Sequence, residues 1–217
     1  MPSTLLLTRP QADSRRFQAM LPGVRAVISP ILRIEPVAHD ADRLRAAGGF
    51  VFTSAHAVPA AGPGQGRLAL CVGKRTAQVA REAGFSVREG KGFAESLLPL
   101  IRAAPVPLLH LHGRHVARTL PVEGVVVYDQ VAEPLNADAR ALLSGPGRVL
   151  LPLFSARSAR LVAAQVSDAA ALLFPVAVSP AVMQAWAGPM AGQAVARFPT
   201  AEAMVAAIRR LMADEQS

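Results

Sequence analysis

The sequence predicts an α/β fold made of two similar small domains, each a parallel sheet flanked by helices. Three observations predict it. Short apolar runs alternate with helical patterns along the 217 residues. The runs are continuously apolar rather than alternating, which marks strands buried on both faces of a parallel sheet. The second half also repeats the order of the first, at offsets of roughly one hundred residues.

The elements follow in order. Residues 4–8 read as a strand, and 11–20 as a helix stopped by Pro22-Gly23. Residues 24–29 are a second strand, and 31–37 an extended linker ending at proline. A short helix at 40–47 precedes the strand 50–53. Pro59 clips the next helix, and "AGPGQG" (61–66) is a loop. Strand 68–72 leads to a helix at 74–83 with Gly84 at its end, then a short strand at 86–88 and a helix at 94–103. Strand 107–111, a short helix at 114–120 and a strand at 124–131 close the first series. The second series runs helix 137–143, strand 148–153, helix 156–164, strand 172–178, helix 180–187, strand 194–197 and helix 200–212.

The repeat is visible in four places. "FVFTSAHAV" around Thr53-Ser54-Ala55 aligns with "VLLPLFSARSA" around Ser155-Ala156. "CVGKRTAQVA" aligns with "AVSPAVMQAW", placing Gly73 opposite Ser179. "GVRAVISPILRIEP" aligns with "GVVVYDQVAEP", each ending in Glu-Pro, and "TLLLTRP" aligns loosely with "PLLHLHG". Ligands of parallel sheets bind at the carboxyl ends of strands. In both halves that is where hydroxyls and glycines sit: Thr53, Ser54, Gly73, Ser155 and Ser179.

Composition narrows the function classes. Hydrophobic residues are 52% of the chain, enough for packed cores. Cys71 is the only cysteine, so no intrachain disulfide forms, as suits a reducing compartment. The apolar run at the N-terminus is too short for a signal peptide, and no segment approaches the ~20 apolar residues of a membrane span. A soluble, cytoplasmic protein is expected. The net charge is +8 and, apart from Lys74 and Lys91, it comes from arginine, whose planar fork suits carboxylates and phosphates. An anionic ligand fits, and so does simple GC-rich coding. The charges are dispersed and no basic stripe is interleaved with aromatics, which argues against nucleic acid.

Several motifs carry competing readings. "GPGQG" lacks the Lys-Ser/Thr of a phosphate loop and reads as a solvent loop. "HLHGRHVAR" (110–118) holds His110, His112 and His115 and admits a metal site, a polar strand end that meets an anion through Arg114 or Arg118, or plain surface. No serine sits in a G-x-S-x-G elbow, so a hydrolase is disfavoured. Acidic residues do not cluster at strand ends, which disfavours a phosphoacceptor domain. Tyr128, the only tyrosine, is either a half-buried strand aromatic or a proton and hydrogen-bond donor, since a phenol titrates near ~10.

Taken as an ordered set, "LLLTRPQ", "ISPILRIEP", "FVFTSAHAV", "CVGKRTAQVAREAGFSV", "VVVYDQVAEP", "VSPAVMQAWAG" and "FPTAEAMVAAI" resemble the uroporphyrinogen-III synthase family from about residue 4 to 210. The resemblance implies two α/β domains with a ligand cleft between them, joined by a two-stranded linker. The first is discontinuous, 1–34 with 135–217; the second is 39–126; the linkers are 35–38 and 127–134. It implies a cyclising lyase without cofactor or metal, acting as a monomer on hydroxymethylbilane, a linear tetrapyrrole rich in acetate and propionate. The hydroxyl leaves as water, the terminal pyrrole ring inverts through a spiro intermediate, and the macrocycle closes in tetrapyrrole biosynthesis.

The resemblance gives the residues roles. Tyr128 matches the family's tyrosine and would assist departure of the hydroxyl. Thr53, Ser54, Ala55, Gly73, Lys74, Thr76, Ser155 and Ser179 would hold carboxylates through hydroxyls and helix N-terminal N–H groups. Arg9, Arg114 and Arg118 would add charge. Two features depart from the family pattern: Val182 stands where a second hydroxyl is common, and Pro59 shortens the helix after Thr53-Ser54. The rival class is a non-catalytic two-domain binding protein for a small polyanion, which would not need Tyr128.

Overall fold

The computed structural model describes residues 3–116 and 118–213. Its order is β1 (Thr4–Leu7), α1 (Gln11–Ala19), β2 (Ala26–Ile28), β3 (Leu32–Pro36), α2 (Ala41–Ala46), β4 (Gly49–Phe52), a 3-10 helix (Ala55–Ala61), β5 (Leu68–Cys71), α3 (Lys74–Glu82) and β6 (Ser86–Glu89). A second 3-10 helix (Ala94–Leu97) runs into α4 (Leu98–Arg102). Then come β7 (Leu108–Gly113), β8 (Gly124–Ala132), α5 (Ala137–Ser144), β9 (Arg148–Leu153), α6 (Ala156–Ala163), β10 (Leu172–Ala177), α7 (Pro180–Gln184), β11 (Ala194–Val195) and α8 (Ala201–Ala213). Among the described residues, no helix is long and apolar enough to cross a membrane.

The chain divides into two compact units, Met1–Arg33 with Ala132–Ser217, and Ile34–Val131. It passes from one to the other within β3 and at the end of β8. These two strands pair: Glu133 N donates to Ile31 O and Val37 N to Val127 O. The bonds step forward on β3 as they step back on β8, so the pair is antiparallel.

The first unit carries a five-stranded sheet in the order β11-β10-β9-β1-β2, with parallel neighbours throughout. Strand alternation sorts its side chains into two cores. Leu6, Val149, Leu151, Leu153 and Leu173 face one side with residues of α5, α6 and α7. Leu5, Leu7, Leu150 and Val176 face the other with Phe17 of α1 and with Met204, Val205, Ala207 and Ile208 of α8. Both faces are covered, which is why these strands read as unbroken apolar runs.

The second unit carries a six-stranded sheet, β3-β8-β7-β4-β5-β6. Phe50, Phe52, Ala69, Cys71 and Leu111 face one core, which the small stripe Ala77 and Ala80 of α3 closes, and Val51 and Leu70 face the other with Leu97 and Leu120. The "AGPGQG" loop folds back on the end of α3: Gly64 N donates to Ala83 O and Gly66 N to Gly84 O. A Cβ on Gly64 would lie 2.3 Å from Phe85 N, so only glycine permits this approach. The loop is therefore a structural clasp.

Two elements differ from expectation. Among the described residues of 114–120 there is no helix, only bends; Ala117 lies outside the described residues. Arg114 N is already committed to Tyr128 O, so the chain leaves β7 along β8 rather than coiling. Helix α7 stops at Gln184 rather than Ala187, because Trp186 turns into the core beneath it. The element clipped by Pro59 is a 3-10 helix, since proline inside it supplies no N–H.

Candidate functional site

Both sheets have a topological switch point, where the chain stops adding strands on one side and starts on the other. In the first unit it lies between β1 and β9, and in the second between β4 and β7. The crevice beyond the carboxyl ends of such strands is where doubly wound sheets take ligands.

In the second unit the strand ends meet around Tyr128. Thr53 ends β4, and its Oγ1 lies 2.9 Å from His110 Nε2 on β7. Ser54 caps the 3-10 helix, accepting from His56 N at 3.3 Å. Ala55 opens that helix and is half-buried. The ring of His56 meets the phenol of Tyr128 edge-on at 6.0 Å. Tyr128 is only 5% exposed. Burial pushes the phenol above its ordinary value of 10, while the nearby Ser54 side chain and Gly113 backbone pull the other way. It carries its proton at neutral pH.

The strand geometry explains how a residue next to buried Val127 is buried too. In a regular strand, neighbours point to opposite faces. Val127 and Tyr128 nonetheless share one core. His112 pairs with Val126, but Gly113 pairs with Tyr128, so β8 carries an extra residue there. This β-bulge turns Tyr128 onto the face of Phe52 and Leu111.

The histidines of "HLHGRH" are absorbed locally. His110 is 3% exposed, and burial with the neighbouring His112 lowers its pKa to about 4, so it is neutral. His112 stacks near it at 4.7 Å and contacts Gly113 O through Nδ1 at 2.8 Å. Among the described residues, no three His, Cys, Asp or Glu stand close enough to hold a metal ion. Cys71 is fully buried and burial pushes its thiol up to about 12, so it is not a nucleophile.

One strand along, Gly73 caps α3 without a side-chain bond, Lys74 is exposed and Thr76 is buried in the first turn. Arg114 Nε donates to Asp129 Oδ2 at 2.8 Å, and Arg118 Nη1 to Glu95 Oε1 at 2.7 Å. Both arginine side chains are more than half exposed.

In the first unit, Arg9 follows β1 and Ser155 follows β9, the two strands of the switch point. The Arg9 guanidinium lies 4.3 Å from the ring centroid of Phe154 and 3.4 Å from Asp13. Burial lowers its pKa. Ser155 caps α6, accepting from Ser158 N at 3.1 Å and donating to Ser158 Oγ at 2.8 Å. Ser179 caps α7 in the same way, accepting from Val182 N at 3.4 Å. Ser54, Ser155 and Ser179 are thus helix caps first.

Sequence reasoning missed three contributors. Phe154 supports Arg9, His56 flanks the phenol, and Gly113 lies under it. Phe154 and His56 carried a signal, since each adjoins a candidate serine. The bulge carried none.

Comparison with known proteins adds the remaining observations. A comparison with curated protein sequences finds no match. Among solved structures, the fold is similar to that of uroporphyrinogen-III synthetase from Helicobacter pylori, with a TM-score of 0.67 at 15% identity, over 97% of this chain and 100% of that one. It is also similar to a mutant uroporphyrinogen III synthase from Thermus thermophilus, with a TM-score of 0.50 at 14% identity, over 99% and 100% of the two chains. At these identities the likeness is one of fold. The sequence profile described as uroporphyrinogen-III synthase HemD matches residues 21–206, from the helix turn before β2 to the middle of α8. With most of its length matched, and with the two-unit fold those structures share, the chain belongs to the uroporphyrinogen-III synthase family.

Proposed function

We propose that the chain cyclises hydroxymethylbilane to uroporphyrinogen III, with loss of water and inversion of the terminal pyrrole ring, as its family does. The observation that carries this is the family match over residues 21–206. The geometry is compatible with it. The substrate is flexible and rich in carboxylates, and left alone it cyclises without inversion. The protein's task is therefore to hold one reactive conformer, where positioning contributes most to rate. Helix N-termini at α3 and α6 and the half-buried Arg9 are the groups we assign to the carboxylates.

Tyr128 is our candidate donor to the departing hydroxyl. What supports it is a phenol that keeps its proton at neutral pH and is buried against Gly113 beside a switch point. The pyrrole nitrogen supplies most of the push, so the donor helps rather than decides. In this reading the protein works as a cytoplasmic monomer, without nucleic-acid or membrane partners.

The test supplies purified protein with hydroxymethylbilane made in situ and resolves the porphyrin isomers after oxidation. Mostly isomer III is expected. Isomer I alone, formed at the protein-free rate, would overturn the assignment. Tyr128→Phe is expected to lower kcat by roughly ten- to a hundredfold while isomer III remains the product. Full turnover in that variant would remove the tyrosine from the reaction.

A further inference from the structure

Tyr128 is buried beside the second unit's switch point, and its surroundings are specific. Three features converge on it. The bulge at Val127 brings Tyr128 opposite Gly113. The hydroxyl end of the phenol then lies against that glycine: a Cβ there would stand 2.5 Å from Cε2, 2.6 Å from Cζ and 3.0 Å from the hydroxyl oxygen of Tyr128. No real Cβ approaches so closely, and the ring is not the loose end of a flexible side chain. It is buried. Gly113 is in β7 with no positive φ, so its glycine identity answers to this contact and not to a turn.

Ser54 is fixed in its turn. As cap of the 3-10 helix it holds His56 N, and His56 lays its ring edge-on against the same phenol.

We propose that Ser54 and Gly113 are positioning residues that fix the Tyr128 hydroxyl in one orientation, Gly113 by giving the ring a close seat and Ser54 by capping the 3-10 helix whose His56 flanks the ring. The inference rests on the reading of Tyr128 above, and it moves Ser54 from substrate binding to support of the tyrosine. No covalent step is added. The titratable neighbours on the packed elements are His56 on the 3-10 helix, His110 and His112 on β7, and Asp129 on β8.

The chain has a single tyrosine, so phenolate absorbance in the near ultraviolet reports this residue alone. In full-length Ser54→Ala the phenol loses a neighbouring hydroxyl that favours its ionised form, and its titration moves to higher pH than in the wild type. In Gly113→Ala the methyl lifts the ring from its seat, and titration moves down toward the ordinary value near ~10 as water reaches it. Both variants are expected to lower kcat by roughly fivefold or more, with KM changed less than about twofold, because orientation and not substrate grip is lost. In a Tyr128→Phe background the same substitutions are expected to cost less than about twofold, since no hydroxyl is left to orient.

Unchanged phenol titration in both variants would overturn the proposal. So would equal losses in the wild-type and Tyr128→Phe backgrounds, which would make the two residues structural or substrate-binding. If Gly113→Ala does not fold, Ser54→Ala decides alone, because it removes one oxygen and adds no bulk. Full turnover of Tyr128→Phe would overturn the reading of Tyr128 and the catalytic consequence drawn from it, and it is told apart from failure of the seat because the titration is read without substrate.

Discussion

At the scale of single residues, the second unit's switch point is built from groups kept neutral. His110 shows the cost. Its folded-state pKa is lowered from 6.5 to about 4, by burial first and by His112 second. Above pH 6.5 the imidazole is neutral whether or not the chain is folded, and its contribution is fully present. Between 6.5 and about 4 the unfolded chain takes up a proton that the folded chain refuses, so stability falls as pH falls, by up to ~1.4 kcal/mol per pH unit. Below about 4 the loss from this group levels off. Urea unfolding of the wild type and His110→Asn across this window should show a steeper decline in the wild type; parallel curves would mean that His110 is protonated in the folded protein. The residue was legible in the sequence only as part of "HLHGRH", with three readings open. What closes them is a hydrogen bond to Thr53, fifty-seven positions away, which spacing alone does not reveal. Ser54, Ser155 and Ser179 were legible because serine at a strand end commonly caps the helix that follows. The ion pairs of Arg114 and Arg118 were not, because Asp129 and Glu95 reach them through tertiary folding.

At the scale of elements, Arg67 is the clearest fastening. It lies just before β5 and donates to four carbonyls: Leu44 O at 2.9 Å, Ala61 O at 3.0 Å, Pro63 O at 2.9 Å and Gly64 O at 3.3 Å. Leu44 belongs to α2 and Ala61 ends the 3-10 helix, so one guanidinium serves the ends of two elements and the loop between them and β5. Its carbon also lies 5.0 Å and 5.6 Å from the ring centroids of Phe50 and Phe85. Arg67→Ala is expected to cost ~2–4 kcal/mol, because it removes the charge-assisted hydrogen bonds and the cation–π attraction at once. Arg67→Lys should recover less than half, because one ammonium cannot span four carbonyls. Equal stability of the lysine variant and the wild type, by urea midpoint, would refute this account. The elements themselves were largely readable, since continuous apolar runs and proline or glycine stops are local signals. The helix expected at 114–120 is absent for a nonlocal reason: the chain leaving β7 continues its pairing with β8 through Arg114 N and Tyr128 O. The bulge at Val127 failed for the same kind of reason, since register belongs to a pair of strands and not to either sequence.

At the scale of the whole molecule, the cores divide as the chain does. The two clusters around Leu6 and Leu5 draw only on 1–33 and 132–217, and the two around Phe50 and Val51 only on 34–131. A unit with its own core and a continuous chain meets the conditions for folding alone. The segment 34–131 expressed by itself is therefore expected to unfold cooperatively in urea. It holds Ser54, Gly113 and Tyr128 together, so its phenol should titrate above the ordinary value as in the full protein. On the proposed function it should produce no isomer III, because Arg9 and the N-terminus of α6, which that proposal assigns to the carboxylates, belong to the other unit. The segment 132–217 alone should not fold. It lacks β1, the parallel neighbour of β9 through Thr4↔Val149 and Leu5↔Leu150, and with it Leu5 and Leu6, which are fully buried on opposite faces of the sheet. A segment 34–131 without a cooperative transition, or with a phenol titrating near ~10, would mean that its core depends on the rest of the chain.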